Sequence, residues 1–136
     1  MSASLGPWDQ YPRPLGARRV LLVEDDTALA LMLTWELEDR GVTTVLATTC
    51  AQARLLSRRI RFELALVDVD LPDGDGLVLA EGLAAAHPGS TVAIHTGRHG
   101  CGSSPSRAGP LRHFLTKPVS VERLLGLLDG AVPGPR

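Results

Sequence analysis

The sequence predicts an α/β fold built on a doubly wound, five-stranded parallel sheet. Two observations support this class. Short apolar runs, of which residues 64–67 are the clearest, alternate with segments whose apolar residues recur at helical spacing. Continuous runs of this length are typical of strands that are buried on both faces, as in a parallel sheet. β-α-β units with right-handed crossovers then place helices on both sides of the sheet.

Composition limits the classes of function. The 136 residues suit one domain, and the formal charge of -1 gives no basic surface for nucleic acid. Arg58, Arg59 and Arg61 are interpreted as a solvated helix end. No apolar run is long enough to span a membrane, and no secretory signal is visible. Cys50 and Cys101 form no disulfide framework or metal spacing, so we predict a cytoplasmic protein with reduced thiols. From the charge and the apolar runs, we predict no nucleic-acid partner and no membrane partner.

The domain organisation is read from the distribution of proline and glycine. Residues 1–18 contain three prolines and two glycines, which oppose a helix or a central strand. We therefore predict a disordered or loosely docked N-terminal tail. Residues 19–132 are predicted to form the folded domain, and residues 133–136 a short C-terminal tail.

The first strand is predicted over residues 20–23 and ends in three acids. A helix over 27–40 follows, with Asp26 or Thr27 as its cap and Gly41 as its stop. One apolar strip of this helix is predicted to face the core and consists of Leu29, Leu33 and Leu37. A second strip consists of Leu31, Met32 and Trp35. The first interpretation of this second strip is a wider core face, and the alternative is a surface for a partner.

The middle of the chain continues the alternation. Strands are predicted over 42–47 and 62–69, on either side of a helix over 49–59. The third strand ends at Asp68 and Asp70, and Pro, Gly and Asp residues then signal a turn. A helix over 76–87 follows, and Pro88-Gly89 closes it.

The alternation breaks after the fourth strand. This strand is predicted over 91–95 and runs into Thr96. The next segment, 97–110, is rich in Gly, Ser and Pro and has no apolar face. We therefore predict an irregular, mobile loop in place of the fourth helix, since Gly and Pro oppose helix formation by ~1 and ~3 kcal/mol each.

The last strand and helix close the predicted domain. The fifth strand is short, 113–116, and leads to Lys117 and Pro118. Ser120 is predicted to cap a final helix over 121–131.

Polar groups follow four strands of the predicted sheet, and a doubly wound sheet brings them to one edge. These groups are Glu24 with Asp25, Asp68, Thr96 and Lys117. Clustered carboxylates repel one another unless a cation neutralises them, and oxygen ligands suit Mg²⁺. A carboxylate beside Mg²⁺ can attack phosphorus and become an acyl phosphate, whose oxygens need donors. Thr96 offers a hydroxyl and Lys117, the only lysine of the chain, an ammonium. Each signal alone is common in caps and strands, but their succession on consecutive strand ends indicates a site.

These motifs resemble the receiver domains of two-component response regulators. The matching segments are LLVEDD at 21–26, LALVDVDLPDGDG at 64–76, IHTG at 94–97 and FLTKP at 114–118. The resemblance implies a flavodoxin-like strand order of 2-1-3-4-5. It also implies a phosphoprotein of two-component signalling or a phosphorelay. Its phosphoryl donor would be a histidine kinase or a histidine phosphotransfer protein.

The resemblance assigns an expected role to each matching residue. The catalytic set implied by it is Asp68 as phosphoacceptor, Thr96 and Lys117. The implied Mg²⁺ ligands are Glu24, Asp25, Asp68 and Asp70, the last through its backbone carbonyl. Thr96 and Phe114 are similar to the switch residues of the family. The implied surface for docking a partner comprises Leu31, Trp35 and Pro118.

The chain departs from the family pattern in two places. The 97–110 loop is similar to a subgroup of single-domain receivers that carry a Phe-Ala-Thr-Gly-Tyr motif, lack a well-formed fourth helix and work with HWE-type kinases. Only Thr96 and Gly97 match that motif, whereas His95 and Arg98 differ. Arg98 and the side chain of Asp70 lie where family members tune dephosphorylation. The expected loss of the helix argues against a dimer formed through it.

Three functions are compatible with the sequence. The first is a stand-alone receiver that is no enzyme beyond its own phosphorylation and dephosphorylation, and that signals through a protein partner. The second is a pseudo-receiver that binds partners without phosphorylation. The third is a small aspartyl-phosphate phosphatase, because Asp68-Val69-Asp70 resembles the Asp-x-Asp motif of haloacid-dehalogenase-like phosphatases. That motif usually follows the first strand, which favours the receiver.

Overall fold

A computed structural model describes residues 18–97 and 113–131 of the chain. The helices in this part of the chain are α1 (Thr27–Asp39), α2 (Cys50–Ser57), α3 (Gly76–Ala86) and α4 (Val121–Ala131). The strands are β1 (Arg19–Val23), β2 (Thr43–Ala47), β3 (Leu64–Asp68), β4 (Asp70–Leu71), β5 (Gly74–Asp75), β6 (Thr91–Thr96) and β7 (His113–Thr116). Most predicted bounds agree with these to within two residues.

The main sheet has five strands in the order β2-β1-β3-β6-β7, and every neighbouring pair is parallel. This arrangement confirms the predicted fold class and strand order. A two-residue antiparallel hairpin, β4 with β5, occupies the segment that the sequence predicted only as a turn. Two elements are shorter than predicted. The strand predicted over 62–69 spans Leu64–Asp68, and the helix predicted over 49–59 spans Cys50–Ser57.

Two apolar clusters lie on the two faces of the sheet. One cluster joins the sheet to α2 and α3 through residues such as Leu56 and Leu79. The other joins it to α1 and α4 through Leu37 and Leu124. The central strand β3 is buried along its whole length, as its continuous apolar run predicts. Asp68 therefore ends a strand that both layers hold in place.

Side-chain caps fix where the helices begin. Asp26 accepts a hydrogen bond from the backbone of Leu29 at the start of α1, and Thr49 caps α2 in the same way. Such caps satisfy amide groups that have no partner within the helix. Beyond the end of α1, Gly41 adopts a φ of 82°, the left-handed conformation that favours glycine at a helix stop. The predicted stop is therefore confirmed.

The second apolar strip of α1 is not part of the core. Leu31, Met32 and Trp35 are exposed by 48%, 45% and 67%. The buried residues of the helix are instead Ala30, Leu33 and Leu37, with Leu29 half-buried. The interpretation of the strip as a wider core face is therefore wrong.

Several predictions concern segments outside the described residues. These are the N-terminal tail up to residue 17, the C-terminal tail, Arg98, Cys101 and nearly all of the 97–110 loop. The described cysteine, Cys50, is buried and unpaired. Among residues 18–97 and 113–131, no helix has both the length and the apolar character needed to cross a bilayer.

Candidate functional site

Three carboxylates meet at the carboxyl edge of the sheet. Glu24 and Asp25 follow β1, and Asp68 ends the adjacent strand β3. Each of the three offers an oxygen, and these oxygens lie within 4.8 Å of one another. Glu24 and Asp68 are buried, whereas Asp25 is exposed. The strand order thus produces the acidic cluster that the sequence predicts.

Lys117 places its ammonium between two of these acids. Its Nζ lies 3.2 Å from Oδ2 of Asp68 and 3.2 Å from Oε1 of Glu24. Its backbone amide donates to the carbonyl of Thr96 at 2.8 Å, which ties the residue to the end of β6. Burial lowers the pKa of Lys117, but the hydrogen bonds and attraction of Glu24 and Asp68 outweigh burial and raise this pKa overall. The lysine is therefore charged and serves as counter-ion to both acids.

Glu24 is held at both carboxylate oxygens. Its Oε2 accepts a hydrogen bond from the backbone amide of Asp26 at 3.0 Å, and its Oε1 faces Lys117. Burial, the largest cause, and the negative charge of Asp68 together raise the pKa of Glu24 to about 7, against the lowering effects of the Asp26 amide and of Lys117. An added cation would favour the ionised form, since opposite charge lowers a carboxyl pKa.

Asp68 is oriented from two sides. Its Oδ1 accepts a hydrogen bond from the backbone amide of Asp70 at 3.1 Å, while Oδ2 faces Lys117. Gly76 lies directly behind it, because a Cβ at this position would come within 2.8 Å of the carbonyl carbon of Asp68 and of Cα of Val69. Contacts this short do not occur, so position 76 requires glycine. The sequence showed this glycine only as part of a turn.

The segment after Asp68 is also anchored to α2. The carboxylate of Asp73 accepts hydrogen bonds from the backbone amides of Cys50 at 2.7 Å and Ala51 at 3.0 Å. These bonds lower the pKa of Asp73. Asp75 accepts from the amide of Leu77 and begins α3. The segment after the buried carboxylate is thus attached to α2 through Asp73 and leads into α3 through the cap at Asp75.

The remaining predicted residues lie at this edge or beside it. Thr96 ends β6 and directly follows His95, the residue in register with Asp68. Asp70 is exposed next to the cluster. Phe114 lies on β7 in register with Ile94 and is 43% exposed. The structure therefore brings Glu24, Asp25, Asp68 and Lys117 together, with Thr96 on the neighbouring strand end.

The donor set fits a hard divalent cation. Oxygen atoms from carboxylates are the ligands that Mg²⁺ uses, and it binds through one or two of them while keeping water or phosphate ligands. Glu24 and Asp68 are buried like charges whose mutual repulsion such an ion would relieve. The residues present therefore fit a metal site.

His95 is the residue of this region that the sequence analysis did not use for the site. It is fully buried, and its Nε2 lies 3.2 Å from Oε1 of Glu24. Burial lowers the pKa of His95 to about 4, and the charge of Lys117 acts in the same direction. The imidazole is therefore neutral. A histidine inside an otherwise apolar strand, directly before Thr96, was the available signal.

Fold and site together define a doubly wound α/β domain with a lysine-covered carboxylate site at the sheet edge. The family model of the response regulator receiver domain matches residues 20–129. The chain therefore belongs to the response-regulator receiver family of two-component signalling, as the resemblance predicts. Receiver domains of this family are phosphorylated by histidine kinases or phosphotransfer proteins.

Individual relatives agree with this assignment. The chain is 33% identical over 120 residues to the response regulator PilR of Pseudomonas aeruginosa, covering 87% of this chain and 27% of PilR. It is 30% identical over 117 residues to GlrR of Escherichia coli, covering 83% of this chain and 26% of GlrR. The chain thus spans about a quarter of the length of these two regulators.

Solved structures show the same fold. A CheY-like receiver domain from Methanospirillum hungatei superimposes with a TM-score of 0.75 at 29% identity, over 85% of this chain and 97% of that one. A response regulator from Burkholderia pseudomallei gives a TM-score of 0.68 at 27% identity, over 82% of this chain and 66% of that one. The latter is described as containing a phosphorylated aspartic acid, a calcium ion and citrate.

Proposed function

We propose that the domain accepts a phosphoryl group on Asp68 in a Mg²⁺-dependent reaction and signals by protein contact. The observation that carries this proposal is the position of Lys117, 3.2 Å from both Asp68 and Glu24 inside the acidic cluster. Clustered carboxylates repel one another and lower stability, which favours a functional role for the cluster. The phosphorylated aspartic acid and the calcium ion of the Burkholderia pseudomallei regulator support the same chemistry.

The transfer step forms one bond and breaks one bond. The carboxylate of Asp68 attacks phosphorus, and the bond from phosphorus to the donor breaks, which releases a neutral histidine ring or, from acetyl phosphate, acetate. Lys117 then holds one oxygen of the transferred phosphoryl group, and the hydroxyl of Thr96 holds another. Glu24, Asp25 and Asp68, with the carbonyl of Asp70, would hold Mg²⁺, which supplies charge neutralisation at the phosphoryl oxygens.

Thr96 and Phe114 are proposed to undergo the conformational change that follows phosphorylation. Thr96 lies at the end of β6, and Phe114 lies on the adjacent strand with a partly exposed ring. A contact between Thr96 and the phosphoryl group would draw the end of β6 inward, and the ring of Phe114 would turn into the space this leaves. Small added contacts of this kind can shift a two-state equilibrium.

The partner surface is proposed on α1 beside the site. Leu31 and Trp35 are exposed apolar residues on this helix, and Pro118 is exposed directly after Lys117. Contiguous exposed apolar surface is typical of protein contacts, and we propose that these residues contribute to one. The donor that docks here is proposed to be a histidine kinase, of HWE type in one form of the hypothesis, or a histidine phosphotransfer protein. The downstream partner is an unidentified protein.

The deciding experiment is phosphorylation by acetyl phosphate. Wild type and Asp68→Asn are incubated with acetyl phosphate in the presence and absence of Mg²⁺, and adducts are read by phosphate-affinity gel and intact mass. We expect a base-labile adduct on wild type alone, and only with Mg²⁺. A folded wild type that neither forms this adduct nor binds beryllofluoride would instead be a pseudo-receiver. Sustained turnover of phosphomonoesters would favour the phosphatase.

The docking surface is tested by comparing two donors. Trp35→Ala removes an exposed ring without touching the acidic cluster. We expect slower transfer from the partner kinase or phosphotransfer protein, and unchanged labelling by acetyl phosphate, which is too small to need the surface. Equal rates from the protein donor would place the docking surface elsewhere.

Other expectations remain predictions. They are the action of the receiver without an attached output domain, its location in the cytoplasm, and catalysis confined to its own phosphorylation and dephosphorylation. The subgroup with the Phe-Ala-Thr-Gly-Tyr motif also stays a prediction, since Arg98 and the rest of the loop lie outside the described residues.

A further inference from the structure

The imidazole of His95 is a buried polar group that the proposed phosphorylation chemistry does not use. The residue is 0% exposed, and within residues 18–97 and 113–131 neither ring nitrogen has a hydrogen-bond partner. Buried polar groups are nearly always hydrogen-bonded, and an exception needs an explanation. An apolar residue would fill the same strand position without this cost.

The position of the ring connects it with Glu24. His95 is in register with Asp68 on the neighbouring strand. Its Nε2 lies 3.2 Å from Oε1 of Glu24, and Nζ of Lys117 lies 3.2 Å from the same oxygen. Among the described residues, Nε2 of His95 makes no hydrogen bond to this oxygen. Two nitrogen atoms thus lie next to one buried carboxylate oxygen.

The geometry does not place His95 as a direct metal ligand. The described side chains whose ligand atoms lie close enough to hold one ion are Glu24, Asp25 and Asp68, and His95 is not among them. The ring contacts one member of the cluster rather than its centre. His95 is therefore placed to orient Glu24, which would be the ligand. Residues that orient a metal ligand in this way are common around metal sites.

We propose that His95 is a positioning residue that takes over Oε1 of Glu24 when Lys117 turns to the phosphoryl group on Asp68. This inference rests on the proposed function, in which Lys117 binds a phosphoryl oxygen. Once the ammonium moves, the buried carboxylate oxygen loses a charged neighbour and needs another donor. Nε2 of His95 is already 3.2 Å from this oxygen, and in the tautomer that carries a proton on Nε2 the ring requires only alignment. Glu24 then keeps its orientation in the phosphorylated state.

The test compares two substitutions of the same residue. His95→Leu removes the donor, whereas His95→Gln keeps an N–H donor of similar reach. Beryllofluoride, a phosphoryl mimic, is titrated at saturating Mg²⁺ by calorimetry. We expect His95→Leu to weaken its binding about tenfold, the lower end of the effect of removing such a supporting residue, and His95→Gln to restore most of it. His113→Leu, on the neighbouring strand, is the control that should bind like wild type.

Ring NMR of the wild type gives a second readout, in which a variant serves only to assign the signal. With ¹⁵N-labelled histidine, the His95 ring is expected as the Nε2–H tautomer, identified by its loss in His95→Gln. Addition of beryllofluoride to the Mg²⁺-loaded protein should shift the Nε2 proton downfield, as a hydrogen bond to Glu24 forms. A ring protonated at Nδ1, or a spectrum that beryllofluoride leaves unchanged, would overturn the inference.

The outcomes separate this inference from the proposed function. A wild type that does not bind beryllofluoride contradicts the proposed function and the inference together. A wild type that binds, with both variants binding equally tightly, contradicts the inference alone. Equal weakening in His95→Leu and His95→Gln means that the ring only fills space, which also overturns it.

Discussion

The two ends of the main sheet differ in how their charged side chains are arranged. At the amino end, Glu63 accepts a hydrogen bond from the backbone amide of Arg19 at 2.8 Å, and the Arg19 guanidinium donates to the carbonyl of Arg61 at 3.3 Å. In both of these contacts a charged side chain is hydrogen-bonded to a backbone group. At the carboxyl end, Glu24, Asp25 and Asp68 stand together with one lysine.

We interpret the amino end of the sheet as structural and the carboxyl end as the place of the proposed phosphorylation. Charges at the amino end satisfy backbone groups where strands begin, a purely structural task. At the carboxyl end, burial and the charge of Asp68 raise the pKa of Glu24, so keeping these acids ionised there costs stability unless a cation neutralises them. Such local cost is typical of functional sites. Four substitutions test this comparison, in order of expected effect.

The largest effect is expected from Lys117→Met at the carboxyl end. The substitution removes the ammonium that faces Asp68 and Glu24, so the transferred phosphoryl group loses a donor. Loss of one such donor lowers a rate by about 10²–10³. The initial rate of labelling by acetyl phosphate measures it. Arg59→Met, an exposed cation beyond α2, is the control. Comparable loss in the control would show a general effect of charge.

Gly76→Ala tests the backbone behind the site. Its Cβ would lie 2.8 Å from the backbone of Asp68 and Val69, so the strand end must shift. We expect destabilisation of about 1–3 kcal/mol, the usual cost of overpacking, together with slower phosphorylation. Urea unfolding measures the first.

Gly82→Ala is the matched control for this glycine. It lies in the same helix, and a Cβ there meets nothing within 4 Å. Alanine should therefore stabilise the domain by about 1 kcal/mol through helix propensity. Equal destabilisation by both substitutions would rule out the close approach at Gly76 as the cause.

The hydrogen bond at the amino end is tested by Glu63→Ala. The backbone amide of Arg19 loses its carboxylate acceptor. We expect a stability loss of about 1.5 kcal/mol, typical of a hydrogen bond to a charged group, with unchanged phosphorylation by acetyl phosphate. Urea unfolding and the labelling rate are measured on the same protein. A slower labelling rate at equal folded fraction would show that the amino end also affects phosphorylation, which contradicts a purely structural role.

The smallest effect is expected from Asp68→Asn on stability without Mg²⁺. The change removes one of the clustered negative charges and leaves Lys117 paired with Glu24. The inactive variant should therefore be more stable than wild type, by about 1 kcal/mol, in the range of stabilising changes at functional sites. Thermal unfolding in a chelating buffer measures this. A less stable variant would mean that the carboxylate of Asp68 contributes more to folding than its repulsion costs.

The sequence predicted the fold and most of the acidic cluster, because both follow from the order of the strands. The apolar run before Asp68 predicts a buried central strand, and the acids after β1 and the lysine after β7 then share one edge. Periodicity correctly identified Leu33 and Leu37 as core residues of α1, but it could not decide whether the second apolar strip is also buried, because apolar residues occur on several sides of the helix. Packing against the sheet selects Ala30 and leaves Trp35 exposed.

Other features required distances that no local pattern contains. The need for glycine at position 76 arises from the backbone of Asp68, eight residues earlier in the chain. The contact of His95 with Glu24 crosses strand β3 and depends on the register of two strand pairs. The hydrogen bonds of Asp73 likewise join a turn to a helix that precedes it by more than twenty residues.

The anchoring of the segment after Asp68 has a mechanical consequence. Asp73 fastens it to the start of α2, Asp75 fastens it to α3, and Gly76 rests against the backbone of Asp68. These contacts hold the segment on the side of α2 and α3. We therefore expect a charge added at Asp68 to displace the strand ends at Thr96 and Lys117 more than this segment.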